Sequence, residues 1–363
     1  MTRFPDTAVD IAARLIKLNT VTGSDTEASA LHMIADLFED NGEYEQSWSD
    51  ALDAVVIIPR AAVGPLLVLS GHVDTVPFDP DTWSFDPLCG EVEGGNLLGR
   101  GASDMKSGIG AQVAAMLHAG PTAPVALALS TQEEWGCAGT PQVIAALRKA
   151  EVQVGALLVA EPTDGKLLLG HKGPLWLEVQ VDGVAAHGSS PERGSNAIVK
   201  AARLILRAEA ELPRRTHWRL GTETINVGLI NGGTMRNVVP DRVQIGVDLR
   251  TVDPDQTTLT DWFLNQPEVA DVQVVAHHLP VWTDAEEPWV EAIPLPPDPT
   301  PAGFGTEAAP LGQAFGSPPT VIWGPGPRDQ MHVVDEKCPV QFIKDAAEGY
   351  VEAIQAWSQI RED

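Results

Sequence analysis

The chain has 363 residues, enough for two domains, and an ordinary globular composition of 44% apolar and 20% charged residues. With 50 acidic against 24 basic side chains it carries a net charge of −26, which argues against nucleic acid or an anionic membrane surface as a partner. Cys89, Cys137 and Cys338 are too few and too scattered for a disulfide framework or a zinc knuckle, and fit a reducing compartment.

"DTAVDIAARLIKLN" has a cap candidate at Asp6 or Thr7 and apolar residues at helical spacing, and "EASALHMIADLFEDNG" repeats the pattern up to a glycine. Short continuous apolar runs follow at 54–58, 66–70, 125–130 and 156–160, with helical segments at 104–119 and 140–149. Runs of this kind are strands buried on both faces, and their alternation with helices predicts a largely parallel sheet with helices on both sides. After about residue 172 the texture changes. Residues 175–183, 224–232 and 242–250 alternate apolar with polar, helices are expected at 194–211 and 256–265, and another strand at 269–277. This reads as an inserted α+β segment with one solvated sheet face. The Pro-rich stretch 286–303 reads as a surface loop, "PTVIWGPG" as a returning strand and turn, and 339–359 as a closing amphipathic helix. The expected division is 1–172 and 283–363 for the first domain and 173–282 for the insert. No signal segment is read at the N-terminus, and no stretch approaches the roughly 18 apolar residues of a spanning helix, so a cytoplasmic location is expected.

Chemistry-bearing residues collect where apolar runs end, the side of an open α/β sheet on which ligands sit. His72 and Asp74 in "LSGHVDTVP" lie two apart, as a metal-bound imidazole and its supporting carboxylate do, although a structural His–Asp pair reads the same way. Asp104 in "GRGASDMKSG" precedes a helix and is equally consistent with a helix cap. Glu133 and Glu134 are adjacent acids with no cation nearby in sequence, which invites a metal or describes a solvated loop pair. Glu161 ends a buried run, as a ligand or as a strand-end residue reaching solvent, and His332 follows the last strand. Together they describe a two-metal hydrolytic centre, with mixed nitrogen and oxygen donors suited to zinc and with cobalt or manganese as substitutes.

The segments "GHVDTVPFDPDTWSFDP", "GRGASDMKSG", "TQEEWG", "AEPT", "AAHGSSPERGSNAI" and "GPGPRDQMHVVDE" occur in this order and closely resemble the co-catalytic metallopeptidase family. That family includes acetylornithine deacetylase, succinyl-diaminopimelate desuccinylase, aminoacylase and glutamate carboxypeptidase. The resemblance implies an α/β zinc-peptidase-like catalytic domain with an inserted dimerisation or lid domain, two zinc ions and a homodimer. It implies His72 and His332 as ligands of one metal each, Asp104 as the bridging carboxylate, and Glu134 and Glu161 as one ligand each. It casts Glu133 as general base and Asp74 as the acid that orients His72. His187 matches a histidine that reaches the partner subunit's site and donates to the developing oxyanion, while Asn237, Arg250, Thr306 and Gly324 match substrate-contacting positions. "DTVPFD", "HKG", "GTEA" and the last motif most resemble acetylornithine deacetylase, with desuccinylases as near neighbours. The implied substrate is thus a small N-acyl amino acid, N-acetylornithine first, with N-succinyl-diaminopimelate, or the peptide substrate of a carboxypeptidase or dipeptidase of the same family, as the alternatives. The Pro-rich stretch 294–303 departs from the family pattern, where a longer helix and connection are usual.

Overall fold

The computed structural model describes residues 3–39 and 42–361, which divide into two compact units. The first comprises the described residues of 1–170, 281–302 and 306–363, and the second 171–280 and 303–305. In chain order the main strands are β1 (Tyr44–Trp48), β2 (Ala54–Pro59), β3 (Leu66–His72), β4 (Val125–Ser130), β5 (Val154–Val159), β6 (Gly173–Asp182), β7 (Thr224–Gly232), β8 (Arg242–Thr251), β9 (Val269–His277) and β10 (Thr320–Ile322). The main helices are α1 (Asp6–Ile16), α2 (Glu27–Ala35), α3 (Lys106–Ala119), α4 (Thr140–Lys149), α5 (Ala197–Glu211), α6 (Thr257–Leu264), α7 (Ala308–Ala314) and α8 (Val340–Ile360).

The first unit is built on a six-stranded sheet of order β1-β2-β4-β3-β5-β10. β3 pairs in parallel with β4 and β5, and β5 with β10, while β1 and β2 form an antiparallel edge. Both faces are covered, which is why the strands read as continuous apolar runs. Val55, Ile57, Leu67, Leu69, Leu127 and Leu129 face one core with residues of α1, α3 and α8. Their alternates Val56, Val68, Ala126 and Ala128 face a second core with α4 and Leu311 of α7. α3 is buried without a break from Lys106 to Met116. It passes so close to β5 that a Cβ on Gly108 would lie 2.4 Å from the Ala160 carbonyl oxygen, so only glycine fits there.

The second unit is an antiparallel sheet of order β7-β8-β6-β9. Leu175, Leu177, Val179 and Val181 of β6 and Val243, Ile245, Val247 and Leu249 of β8 share one face. That face packs against Ala197, Ala201, Leu204 and Ala208 of α5 and Leu259 and Phe263 of α6. Trp176 and Val274 remain on the exposed set.

Three local expectations are corrected. α1 starts at Asp6 after Pro5 with no side-chain cap, so neither Asp6 nor Thr7 serves as one. α2 ends at Ala35 and tightens into a 3₁₀ turn over Asp36–Phe38; Asp40 and Asn41 of the longer expected helix lie outside the described residues. The Pro-rich stretch is not all surface loop, because Pro288–Ala292 forms a short helix whose Trp289 is fully buried. Trp289 stacks edge-on to Trp357 of α8 and donates its indole N–H to the Ala353 carbonyl. An indole's apolar area outweighs the preference of a Pro-rich segment for solvent. Among the described residues, no helix is long and apolar enough to cross a membrane.

Candidate metal centre

The parallel strands point their carboxyl ends to one edge of the first unit, and the candidate residues gather there. His72 is the last residue of β3, the Glu133–Trp135 3₁₀ turn follows β4 after the left-handed Gln132, and Glu161 stands two residues beyond β5. Asp104 lies just before α3, joined to Met105 by a cis peptide, and its carboxylate does not cap the helix. His332 follows β10 and holds a left-handed backbone at φ +60°, a conformation a non-glycine residue keeps only when its surroundings impose it.

One carboxylate faces both histidines. Asp104 Oδ1 is 3.3 Å from His72 Nε2, and Asp104 Oδ2 is 3.3 Å from His332 Nε2. Glu161 Oε1 completes the first set, 3.7 Å from His72 Nε2, and Glu134 Oε1 the second, 3.1 Å from His332 Nε2. Donor atoms of His72, Asp104 and Glu134, and of His72, Glu133 and Glu161, lie within 4.8 Å of one another. His72, Asp104 and Glu161 are buried, while the His332 side chain is 47% exposed.

The donor set fits a divalent cation on two grounds. His72 Nδ1 lies 3.1 Å from the Asp74 backbone carbonyl, which only accepts, so Nδ1 carries a hydrogen and Nε2 is the ring nitrogen turned to the carboxylate oxygens, the one a metal would take in place of a proton. Carboxylates gathered about that nitrogen favour positive charge there, which a divalent cation supplies more fully than a proton. Asp104 Oδ1 is buried and accepts no hydrogen bond within the protein.

The electrostatics show how strongly the acid cluster favours positive charge. Burial opposes charge on His72, yet Asp104 and Asp74 outweigh it and raise its pKa well above 6.5. Contacts with Asp104 and Glu134 raise His332 to about 10. Burial works against ionised Asp104, but His332 and His72 hold its pKa below the usual range. Burial pushes Glu133 up to about 8, with Glu134 adding to the rise, and it pushes Glu161 well up, with Asp104 adding. Glu133 and Glu161 both hold a proton more readily than ordinary carboxylates, and Glu133, at about 8, can take one near neutrality.

Asp74 does more than face His72. Its carboxylate is 3.4 Å from Nδ1, farther than its own carbonyl, and it accepts the backbone N–H groups of Glu133 at 3.1 Å and Glu134 at 3.2 Å and the Thr22 hydroxyl at 2.9 Å. It therefore fixes the turn that presents the two adjacent acids. The Cys137 thiol donates to Glu133 Oε1 at 3.2 Å. The contacts of Thr22 and Cys137, like those of Glu307 (which accepts from Ser70 and Ser130), are long-range or turn-dependent and leave no mark on the sequence pattern.

Thr306 is buried and its hydroxyl accepts the Ala308 N–H at the start of α7, which leaves its own O–H to donate. Gly324 donates its N–H to Thr163 Oγ1, so that N–H is not on offer to a substrate; a Cβ there would meet the Ala160 and Glu161 carbonyls at 2.2 and 2.4 Å.

In the second unit, His187 and Asn237 are exposed neighbours: His187 bridges Val238, and Gly188 donates to the Asn237 carbonyl at 2.7 Å. Ser189 donates its backbone N–H to His187 Nδ1, which makes that nitrogen the acceptor and leaves the proton on Nε2. Arg250 pairs two-pronged with Asp248, at 3.0 Å from Nε and 3.1 Å from Nη2, so the fork read as a carboxylate anchor already has an acid.

Residues 68–356 match the model of peptidase family M20/M25/M40. The chain is 33% identical over 263 residues, 68% of each chain, to a succinyl-diaminopimelate desuccinylase of Dechloromonas aromatica. It is 27% identical over 304 residues, 78% of each chain, to an acetylornithine deacetylase of Pectobacterium carotovorum. Among solved structures, an M20 family metallo-carboxypeptidase from Sulfolobus solfataricus has the same fold, with a TM-score of 0.77 at 16% identity over 96% of this chain and 99% of that one. A mixed, mostly parallel sheet with an inserted antiparallel one, an acid-rich cluster at the strand ends and a family match over most of the sequence make the chain a member of peptidase family M20/M25/M40.

Proposed function

We propose that the protein hydrolyses the amide bond of a small N-acyl amino acid, N-acetylornithine first, with His72, Asp104 and Glu161 holding one zinc ion and Asp104, Glu134 and His332 a second. The observation that carries this reading is Asp104, whose two oxygens face two separate histidine–glutamate sets. Zinc, or cobalt or manganese in its place, supplies Lewis-acid polarisation of the acyl carbonyl and a more acidic water. Glu133 takes the proton of the attacking water and returns it to the leaving amine, a role suited to its raised pKa. His187 of a second copy donates Nε2–H to the developing oxyanion, as the tautomer set by Ser189 allows. Arg250 and Asn237 receive the substrate's polar groups, Arg250 by exchanging Asp248 for the α-carboxylate. In this reading 1–172 and 283–363 form the catalytic domain and 173–282 the dimerisation or lid domain of a cytoplasmic homodimer. The free state of all three cysteines fits that compartment.

The 33% identity to a desuccinylase supports a second reading, in which the acyl group is succinyl and the amine diaminopimelate. A panel of N-acetylornithine, N-succinyl-diaminopimelate, other N-acetyl amino acids and dipeptides, with and without chelator, separates the two. For Glu133→Ala the expected result is full metal content with kcat reduced by about 10²-fold or more. Near-normal turnover in that variant would remove Glu133 from its role, and chelator-insensitive turnover would remove the metals.

A further inference from the structure

Glu336 takes no part in this chemistry, yet it is fully buried among four donors that all belong to one loop. Its Oε1 accepts the backbone N–H groups of Ser103 at 2.7 Å and Asp104 at 3.0 Å. Its Oε2 accepts the Gly101 N–H at 3.0 Å and Arg100 Nη1 at 2.8 Å. Its own carbonyl accepts the Gly99 N–H at 3.0 Å. The loop gripped in this way ends in Asp104, the carboxylate that faces both histidines.

The grip has a second end. Glu336 stands four residues after His332, and the next residues, Lys337–Pro339, pair antiparallel with Asn96–Leu98. Asp335 accepts the Ser84 N–H and hydroxyl at 2.8 and 2.9 Å, next to Trp83, over whose ring Arg100 lies at 5.0 Å. His332 has a half-exposed side chain, so its place depends on how the chain on either side of it is held. Before it, Ser103 Oγ donates to the Pro327 carbonyl and Arg328 pairs with Asp164; after it, Glu336 is the anchor.

We propose that Glu336 is a positioning residue of the metal centre: one carboxylate sets the Asp104 backbone against the segment carrying His332, and so sets the spacing of their donor atoms. The inference rests on the two-metal reading of the cluster. A carboxylate is required because acceptors are needed at both ends. In Glu336→Gln the amide NH₂ must face either the Ser103 and Asp104 N–H pair or the Gly101 N–H and Arg100, donor against donor. Glu336→Asp keeps both acceptors but ends about 1.5 Å short, one carbon–carbon bond.

The test uses full-length wild type, Glu336→Gln and Glu336→Asp at a temperature where each is folded. Apo-protein is titrated with zinc against a chromophoric chelator, the visible spectrum of the cobalt-loaded protein is recorded, and hydrogen exchange is followed in the peptide spanning 99–105. Glu336→Gln is expected to bind zinc about tenfold or more weakly, the range for lost partners behind metal ligands, with an altered cobalt spectrum and faster exchange in that peptide. Glu336→Asp is expected to fall between it and wild type. Wild-type zinc affinity and cobalt spectrum in Glu336→Gln would overturn the proposal even if its melting temperature dropped, since that pattern is stability alone. Should Glu336→Gln fail to fold, wild-type affinity in Glu336→Asp overturns it on the same readouts. Failure of wild type to take up two ions would instead remove the two-metal reading, and the inference with it, before any variant is compared.

Discussion

Asp74→Asn isolates the support beneath the paired acids. The Asp74 carboxylate accepts from Glu133 N, Glu134 N and the Thr22 hydroxyl and lies beside His72 Nδ1, with no face turned to solvent. Asparagine has the same shape but presents one NH₂. Turned one way it opposes the Glu133 N–H and the His72 ring, turned the other way the Glu134 N–H and the Thr22 oxygen. The Thr22 hydroxyl can rotate to accept, since it also has the Thr75 carbonyl as a partner, so the second orientation is favoured and the Glu134 N–H is stranded. A hydrogen bond to a charged group contributes about 1.5–3 kcal/mol, and the two backbone N–H groups lose the charge-assisted part of theirs together. A displacement that passes about 3 kcal/mol on to the transition state lowers kcat about 10²-fold. The assay is kcat and KM on the best amide substrate at saturating zinc, alongside a thermal melt and metal content. The expected result is a fall in kcat with KM and metal content little changed. Turnover close to wild type would refute the argument that this carboxylate holds the two glutamates in place, as would a loss explained wholly by missing metal.

Two further outcomes follow from packing and burial. His171 is fully buried, and burial, with His278 and Arg250 adding, depresses its pKa from 6.5 to about 4. A base depressed in this way binds fewer protons folded than unfolded between those values, so stability is retained above pH 6.5 and lost as pH falls toward 4, by about 3 kcal/mol. Urea melts of wild type and His171→Gln across that window should show a flatter decline in the variant; parallel declines would sink the assignment. Gly324→Ala places a Cβ 2.2 Å from the Ala160 oxygen and 2.4 Å from the Glu161 oxygen, so the strand end carrying Glu161 must shift. A loss of about 1–3 kcal/mol is expected, with weaker zinc binding in the same chelator titration, and an unchanged melt would show that the backbone yields freely.

The strands of the first unit were legible because burial on both faces leaves a mark in consecutive residues, as in "VALALS", where Val125, Leu127 and Leu129 meet one core and Ala126 and Ala128 the other. The insert was legible because β6 alternates in register with a single covered face. His72, Glu133, Glu134, Glu161 and His332 could be singled out because each ends or follows an apolar run, Asp104 because it stands just before a helix, and the structure brings them to one sheet edge. What stayed hidden is pairing at long range. Glu336 meets Arg100 across 236 positions and Ser70 meets Glu307 across 237, and no local pattern marks either acid as buried. Trp289 was read as loop because proline dominates its neighbours, although its partner Trp357 lies in the closing helix. The contacts of Thr306 with Ala308 and of Arg250 with Asp248 were likewise out of sight.

The discontinuity of the first unit has a consequence for the order in which the protein is made. β5 ends at Val159, and the strand that covers its outer edge, β10, begins at Thr320. At a synthesis rate of about 5–20 residues per second, that edge waits on the order of ten seconds or more for its neighbour. During that interval the insert, a continuous stretch from His171 to Pro280, has its whole sheet and both helices available and can close its core independently. The half-built first unit meanwhile offers an unpaired, apolar strand edge to any other nascent chain. His332 and Glu336 emerge later still, so the acids gathered at the strand ends are on display before the segment that completes their cluster exists. The closing segment therefore covers the strand edge and completes the acid and histidine cluster in one late step.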